Sequence, residues 1–306
     1  MAAAPASPHI CAVVVAYRSA EHLARLLPDL VAAVDGVVVV DQASDDDSAR
    51  VAERHGAVVL REPVNTGFAA GVNRGVEASA GDVVLLVNPD VRWDAGALKA
   101  LHEASLRHPG DVLGPVVRGD DGRLQPTRSG LPGLLTFLGE ELLVPESAAV
   151  GSWPARLWPR WQRYDAEVDG PLLSGACLWI PRATWERVGP MDERYFMYRE
   201  EMDWQLRARQ RGVRTILVPD ATIAHVRAGS SGRHDPQRAR WLAASTRRFV
   251  LRWLPGWRAW AALALLAAGQ ALRWLVWSAP VLRGRPDARQ RRAQHRAALV
   301  PLLVGS

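Results

Sequence analysis

The chain has 306 residues, 48% hydrophobic and 23% charged, which fits one large α/β domain with or without an appendage and excludes a disordered or fibrous protein. Two cysteines, Cys11 and Cys177, exclude a disulfide framework and a cysteine-based zinc site. The net charge of +6 is unevenly held. Residues 233–306 carry 14 arginines against Asp235 and Asp287, a charge of +12, while the preceding 232 residues carry 24 basic and 30 acidic groups, a charge of −6. A basic end attracts polyanions. No nucleic-acid-binding motif accompanies the charge, so the expected partner is an anionic membrane surface and not nucleic acid. Met1–Pro8 lacks the basic and apolar regions of a signal peptide, so a reducing, cytosolic-side setting is expected.

In chain order, His9–Ala16 is a β-branched apolar run that predicts a buried strand, and Glu21–Val34 carries leucines at helical spacing. Val37–Val40, Ala57–Leu60 and Val83–Val87 predict further strands, separated by helices over Asp45–His55 and Gly67–Ser79. This alternation predicts a mainly parallel sheet with crossover helices. Leu98–Arg107 reads as a helix, and the Gly-, Pro- and Trp-rich stretch from Pro109 to Tyr164 as an irregular excursion over the acceptor side. Then come a strand over Pro171–Ile180, helices over Arg182–Val188 and Phe196–Gln210, and a strand over Thr215–Val218. Pro236–Val250 predicts a helix. Beyond it, the 14 residues between Arg258 and Arg273 are too few to span a bilayer but suit its interface, flanked by arginines and tryptophans. A helical hairpin packed on the catalytic domain is the alternative.

Parallel sheets bind ligands beyond the carboxyl ends of their strands. Tyr17-Arg18-Ser19, Asp41–Ser48 and Asn88-Pro89-Asp90 follow three such ends and converge on one edge. Neither a G-x-G-x-x-G after the first strand nor a P-loop is present, so the usual phosphate grips are missing. A nucleotide diphosphate can be held through Mg2+ or Mn2+ instead, and Asp90, on a rigid strand end, suits that ion.

The stretches VVVAYRSAEHL, VVVVDQASDDDS, NTGFAAGVNRGVEASAGDVVLLVNPDV, LSGACLWIPRATWERVGPMDERYFMYREEMDW and IAHVRAGSSG follow the order and spacing of inverting family 2 glycosyltransferases of GT-A fold, and the chain resembles that family over residues 10–232. NPDVRW and DERYFMY are similar to its rhamnosyltransferase branch of mycobacterial type, which acts on polyprenyl-diphosphate-linked N-acetylglucosamine. The resemblance implies a GT-A catalytic domain over 1–232, and the charge and tryptophans of 233–306 predict a basic, Trp-rich, membrane-associating helical segment there. It implies a nucleotide-sugar pocket built from Ala16, Tyr17, Arg18, Asp41, Ser44, Asn65, Gly67, Asn73 and Asn88. Arg227 would neutralise the leaving phosphate, and Asp90 and His225 would hold the metal. Glu201 takes the general-base position in Glu200-Glu201-Met202-Asp203, where the family has Asp, with Asp203 as its catalytic companion. Gln42 and Asp47 depart from the family's Asn and Gly. Trp204, Trp179 and Gly175 are expected to shape the acceptor site, the tryptophans by stacking on a sugar.

The implied reaction moves a sugar, foremost L-rhamnose from dTDP-L-rhamnose, to a lipid-linked saccharide in cell-wall or surface-polysaccharide synthesis. The enzyme would be peripheral, at the cytoplasmic face of a bacterial plasma membrane. UDP-galactofuranose or UDP-N-acetylglucosamine as donor, and a non-catalytic membrane-docked sugar-nucleotide-binding protein, stand as alternatives. The oligomeric state stays open. Apart from the resemblance, Glu200 and Glu201 equally suit the first turn of any helix.

Overall fold

The computed structural model of the chain describes residues 7–93, 95–125, 128–129, 132–133, 164–169, 172–225, 235–282 and 287–304. Strand β1 (Ile10–Ala16) is enclosed on both faces. Ile10, Ala12, Val14 and Ala16 enter one apolar layer, and Val13 and Val15 enter the other. Burial on both faces is why the strand reads as a continuous apolar run and not as an alternating one. It pairs in parallel with β2 (Gly36–Asp41) and β4 (Val83–Val87), and β3 (Val58–Arg61) extends β2. Helices α1 (Ala20–Ala33), α2 (Ser48–Arg54) and α4 (Ala95–Arg107) cover one face, and α3 (Phe68–Ala78) lies on the other.

Past β4 the sheet becomes mixed. β10 (Cys177–Pro181) runs antiparallel between β4 and β6 (Val112–Arg118). β11 (Thr215–His225) lies parallel to β6 and antiparallel to β5 (Val91–Arg92) and β8 (Val168–Asp169). The order is therefore β3-β2-β1-β4-β10-β6-β11-β5, and β7 (Arg128–Ser129) pairs with β9 (Leu172–Leu173) in a small second sheet. Helices α5 (Arg182–Val188) and α6 (Glu200–Gln210) join α3 on the second face.

Four elements differ from the sequence expectation. Val112–Arg118 is a strand, although Gly114 and Pro115 disguise it. A Cβ at Gly114 would lie 2.8 Å from Leu173 Cδ1, so the crossing with β9 excludes a side chain there. The single strand expected over Pro171–Ile180 is broken by the turn Ser174–Ala176 into β9 and β10. The helix expected from Phe196 starts at Glu200, because Tyr198 and Arg199 hold left-handed φ values of 72° and 71°. The strand expected over Thr215–Val218 continues past a register shift to His225. The Trp- and Pro-rich part of the excursion, 134–163, lies outside the described residues.

Toward the C-terminus lie α7 (Pro236–Trp253), α8 (Trp257–Val276), α9 (Ser278–Leu282) and α10 (Ala288–Val304). The expected division at 232/233 falls in 226–234, outside the described residues. On either side of it, Leu172, Tyr195, Met202 and Leu206 share one apolar cluster with Phe249, Val250, Leu263 and Leu302. The helices thus pack on α6 and on β9. α8 is also longer than the 14 residues between its arginines: its 20 residues, about 30 Å at 1.5 Å per residue, are long and apolar enough to cross a membrane.

The closeness of α3 to the sheet gives a stability prediction. A Cβ on Gly75 would stand 2.4 Å from Val13 Cγ1 in a fully enclosed layer. Gly75→Ala should therefore lower stability by about 1–3 kcal/mol through overpacking, read as a reduced urea midpoint at unchanged m-value.

Candidate active site

The polar residues gather at one end of the sheet. Asp41 closes β2 with one carboxylate oxygen buried and without a hydrogen-bond partner, and Asn88 Oδ1 after β4 is in the same condition. Buried acceptors without donors carry a desolvation cost, and both residues stand at the carboxyl ends of parallel strands. Arg18, with φ of 50°, turns the chain out of β1. Its backbone N–H donates to Ser44 Oγ at 2.9 Å, and its guanidinium forks onto Asp45 at 2.7 Å and lies 5.2 Å from the Tyr17 ring centroid. Tyr17 is exposed, whereas Ala16 is fully enclosed, its carbonyl accepting from Gln42 N–H, so Ala16 offers no side-chain surface to a ligand.

Gln42 was not among the expected site residues. It is buried, and its Oε1 accepts from Thr66 N–H at 2.8 Å and Thr66 Oγ1 at 3.1 Å, tying the β2 loop to the loop before α3. In that second loop Asn65 Oδ1 accepts from Gly67 N–H. Gly67, with φ of 92°, sits so close to Phe196 that a Cβ would stand 2.2 Å from its carbonyl oxygen. Asn73 corrects its expected donor role. Its amide donates to the Met191 carbonyl and Glu193, and its Oδ1 accepts from Met191 N–H, so it brackets α3 to the 191–193 segment.

Asp90 and His225 meet. His225 Nε2 lies 3.1 Å from Asp90 Oδ1, because the last residues of β11 pair with β5 directly after Asp90. Gln125 holds the imidazole from behind: its Nε2 donates to the His225 carbonyl at 2.9 Å, and its Oε1 lies 3.3 Å from Nδ1. Among the described residues no group of three or more His, Cys, Asp or Glu forms a cage. One carboxylate and one imidazole within reach of a single ion fit a divalent cation that takes its other ligands from phosphate oxygens and water. Arg227 lies outside the described residues.

Glu201 is placed by α6 and by the Ser174–Ala176 turn. A Cβ on Gly175 would meet Glu201 Cγ at 3.2 Å, and the Gly175 backbone amide hydrogen-bonds the carboxylate. The next residue, Ala176, accepts from Asn88 N–H at 2.9 Å, so one short turn touches both the carboxylate and the Asn88-Pro89-Asp90 corner. Gln205, also not anticipated, fixes the depth of the helix, its Nε2 donating to the Leu173 carbonyl at 2.7 Å and its Oε1 accepting from Leu173 N–H at 2.8 Å. A fully buried glutamine one turn after the two glutamates was the available signal.

Two tryptophans correct the expected acceptor site. Trp204 is fully enclosed, stacks on Trp185 at 5.3 Å and donates Nε1–H to the Gly189 carbonyl at 2.7 Å. Trp179 is equally buried, 6.2 Å from the His102 ring. Neither offers a face to a sugar; both are core. Asp203 is also corrected: it is fully enclosed and its carboxylate is taken up by Trp253, Arg207 and Arg252, so it offers no surface to a substrate.

The two glutamates differ in proton affinity. Burial, and after it the neighbouring Glu201 charge, push the Glu200 carboxyl well above the usual range. Burial also raises Glu201, against the opposing pull of backbone amides and Arg199. Glu200 is therefore the more strongly raised of the two. One oxygen of each is buried without a hydrogen-bond partner. A carboxyl whose folded pKa exceeds its unfolded value of about 4.3 favours folding fully below that value, and the advantage is lost as pH rises through the folded pKa. Glu200→Gln removes the group, so its stability should fall less than that of the wild type between about pH 4.5 and about pH 8 in a urea-unfolding series. Equal falls would mean that Glu200 titrates as an ordinary carboxyl.

Residues 11–157 match glycosyl transferase family 2. The chain is 32% identical to the N-acetylglucosaminyl-diphospho-decaprenol L-rhamnosyltransferase of Mycobacterium tuberculosis, over 96% of this chain and 97% of that protein. A low-salt glycan biosynthesis hexosyltransferase of Haloferax volcanii is 24% identical over 66% of this chain and 62% of the relative. Among solved structures, the mannosyltransferase PcManGT from Pyrobaculum calidifontis in complex with GDP-Man and Mn2+ superposes with a TM-score of 0.56 at 18% identity, over 98% of this chain and 88% of that one. Glucosyl-3-phosphoglycerate synthase from Mycobacterium tuberculosis, in complex with Mn2+, UDP and glucosyl-3-phosphoglycerate, gives 0.53 at 18% identity, over 82% of each. At those identities the likeness is one of fold. The chain belongs to glycosyltransferase family 2, and is a glycosyltransferase of GT-A fold.

Proposed function

We propose that the chain moves L-rhamnose from dTDP-L-rhamnose to a lipid-linked, N-acetylglucosamine-containing acceptor with inversion at the anomeric carbon, docked on the cytoplasmic face of the membrane. The observation that carries the reading is the Glu201 carboxylate. It is raised less strongly than its neighbour, has one buried oxygen without a hydrogen-bond partner, and is joined through Gly175 and Ala176 to the Asn88–Asp90 corner. The near full-length likeness to the mycobacterial rhamnosyltransferase supports rhamnose and a lipid-linked acceptor.

In this reading the nucleoside lies among Tyr17, Arg18, Asp41 and Ser44, with Asn65 and Gly67 lining the sugar side. Asp90 and His225 would hold Mg2+ or Mn2+, which, when bound, neutralises charge on the departing diphosphate. Arg227 is assigned to the same leaving group by its motif. Glu201 accepts the proton of the acceptor hydroxyl as that oxygen bonds to the anomeric carbon from the face opposite the diphosphate. The bond from that carbon to phosphate oxygen breaks, and the nucleoside diphosphate leaves with the electron pair. Gly175 keeps the wall beside the carboxylate low, where an acceptor hydroxyl can approach. Glu201→Gln should lower turnover by roughly 10²–10⁴ with donor affinity nearly unchanged. In a transfer assay with dTDP-L-rhamnose and polyprenyl-diphosphate N-acetylglucosamine, a wild-type rate would sink the assignment.

Membrane docking is supported by α8 and α10. Ala259, Ala262, Leu263 and Leu266 bury one face of α8, while Trp257, Trp260, Leu272, Leu275 and Val276 are each more than half exposed, as are Leu303 and Val304 on α10. A helix packed along one side and apolar along the other lies in an interface more readily than it spans. Arg258, Arg291 and Arg292 sit over Trp257, Trp277 and Trp274, placing cations beside amphipathic rings. Replacing Trp257, Trp260 and Leu275 together by serine should weaken sedimentation with anionic vesicles about tenfold or more, while nucleotide binding persists. Undiminished sedimentation would place the docking surface elsewhere.

A further inference from the structure

The helix that carries Glu201 is held from beyond the sheet, by the end of α7. Trp253 Nε1 donates to Asp203 Oδ1 at 2.8 Å. Arg252 Nε lies 3.2 Å from the same oxygen, and its other arm reaches Asp192 Oδ2 at 3.1 Å. Arg207 Nε lies 3.2 Å from Asp203 Oδ2, and the Tyr195 hydroxyl is 3.4 Å from Oδ1. Asp203 is fully enclosed, so this ring of donors compensates its charge. It stands two residues after Glu201 on an eleven-residue helix, so its place sets the roll and depth of that helix.

We propose that Trp253 and Arg252 are positioning residues for sugar transfer: through Asp203 they hold Glu201 at the depth from which it reaches the acceptor hydroxyl. The inference rests on Glu201 being the base. It gives the C-terminal helices a part in the chemistry. Trp253 is followed by the buried Leu254 and by Pro255-Gly256, and then by α8 with its exposed Trp257 and Trp260. The surface assigned to the membrane and the base are thus separated by one α-helical end and one buried carboxylate. Transfer is sensitive to errors of about 1 Å in the placement of a reacting group, so loosening this tether should act on turnover and not on donor capture.

The test compares the full-length wild type, Trp253→Phe, Glu201→Gln and the double variant in one transfer assay with dTDP-L-rhamnose and polyprenyl-diphosphate N-acetylglucosamine, with nucleotide affinity measured on each. Trp253→Phe keeps a ring in place and removes the N–H. It should lower kcat about tenfold, leave nucleotide affinity within about twofold, and lower the rate no further when residue 201 is already Gln. A wild-type kcat for Trp253→Phe, an equal loss in the Glu201→Gln background, or a parallel loss of nucleotide affinity overturns the proposal alone. A wild-type rate for Glu201→Gln sinks the reading of the base, and the proposal with it. Should Trp253→Phe fail to fold, Arg252→Gln, which keeps the indole bond, is read by the same criteria.

Discussion

The placement of one short helix governs the site. α6 presents three consecutive buried residues, Asp203, Trp204 and Gln205, whose polar groups each meet a defined partner on a different element: the end of α7, the Gly189 carbonyl and the backbone of β9. A buried polar group that loses its partner costs roughly 1–3 kcal/mol, and more when charged. Small rotations of α6 would break several such bonds at once, so the helix has one register. The left-handed Tyr198 and Arg199 that lead into it, strained by an amount on the order of 1–3 kcal/mol each, are tolerated for the same reason.

The fixed helix gives two neighbouring carboxyls different surroundings. Glu200 is buried and pushed well above the usual carboxyl range, whereas Glu201 lies against Gly175 and is raised less strongly. At the other side of the same turn, Asp90 and His225 stand within one ion's reach. Glu201 and the Asp90–His225 pair therefore sit on separate elements joined by Ser174–Ala176, an arrangement that suits the proposed direct displacement.

Much of this was legible in the residues. β1, β2 and β4 are apolar runs ended by polar clusters, and the clusters do fall at one sheet edge. The meeting of Asp90 with His225, 135 positions apart in sequence, was legible only through the family likeness. What was hidden depended on which side of an element a residue faces. Trp179 and Trp204 look like sugar platforms by composition but face the core, and a tryptophan N–H already bonded to Gly189 leaves no doubt about its direction. Asn73 looks like a ligand group because it sits near a glycine loop, yet its amide closes a contact 118 residues away. β6 was masked by Gly114 and Pro115, whose presence reflects crowding by Leu173 and not a loop. Arg258 and Arg273, inside the ends of α8, disguise its length in the sequence.

The central claim is a single displacement, with Glu201 opposite the leaving diphosphate and no covalent glycosyl-enzyme intermediate. The measurement closest to it is the anomeric configuration of the first-formed product by NMR, starting from a donor of known configuration. The account predicts inversion in every turnover. A product that retains the donor configuration would require two successive displacements and would contradict it.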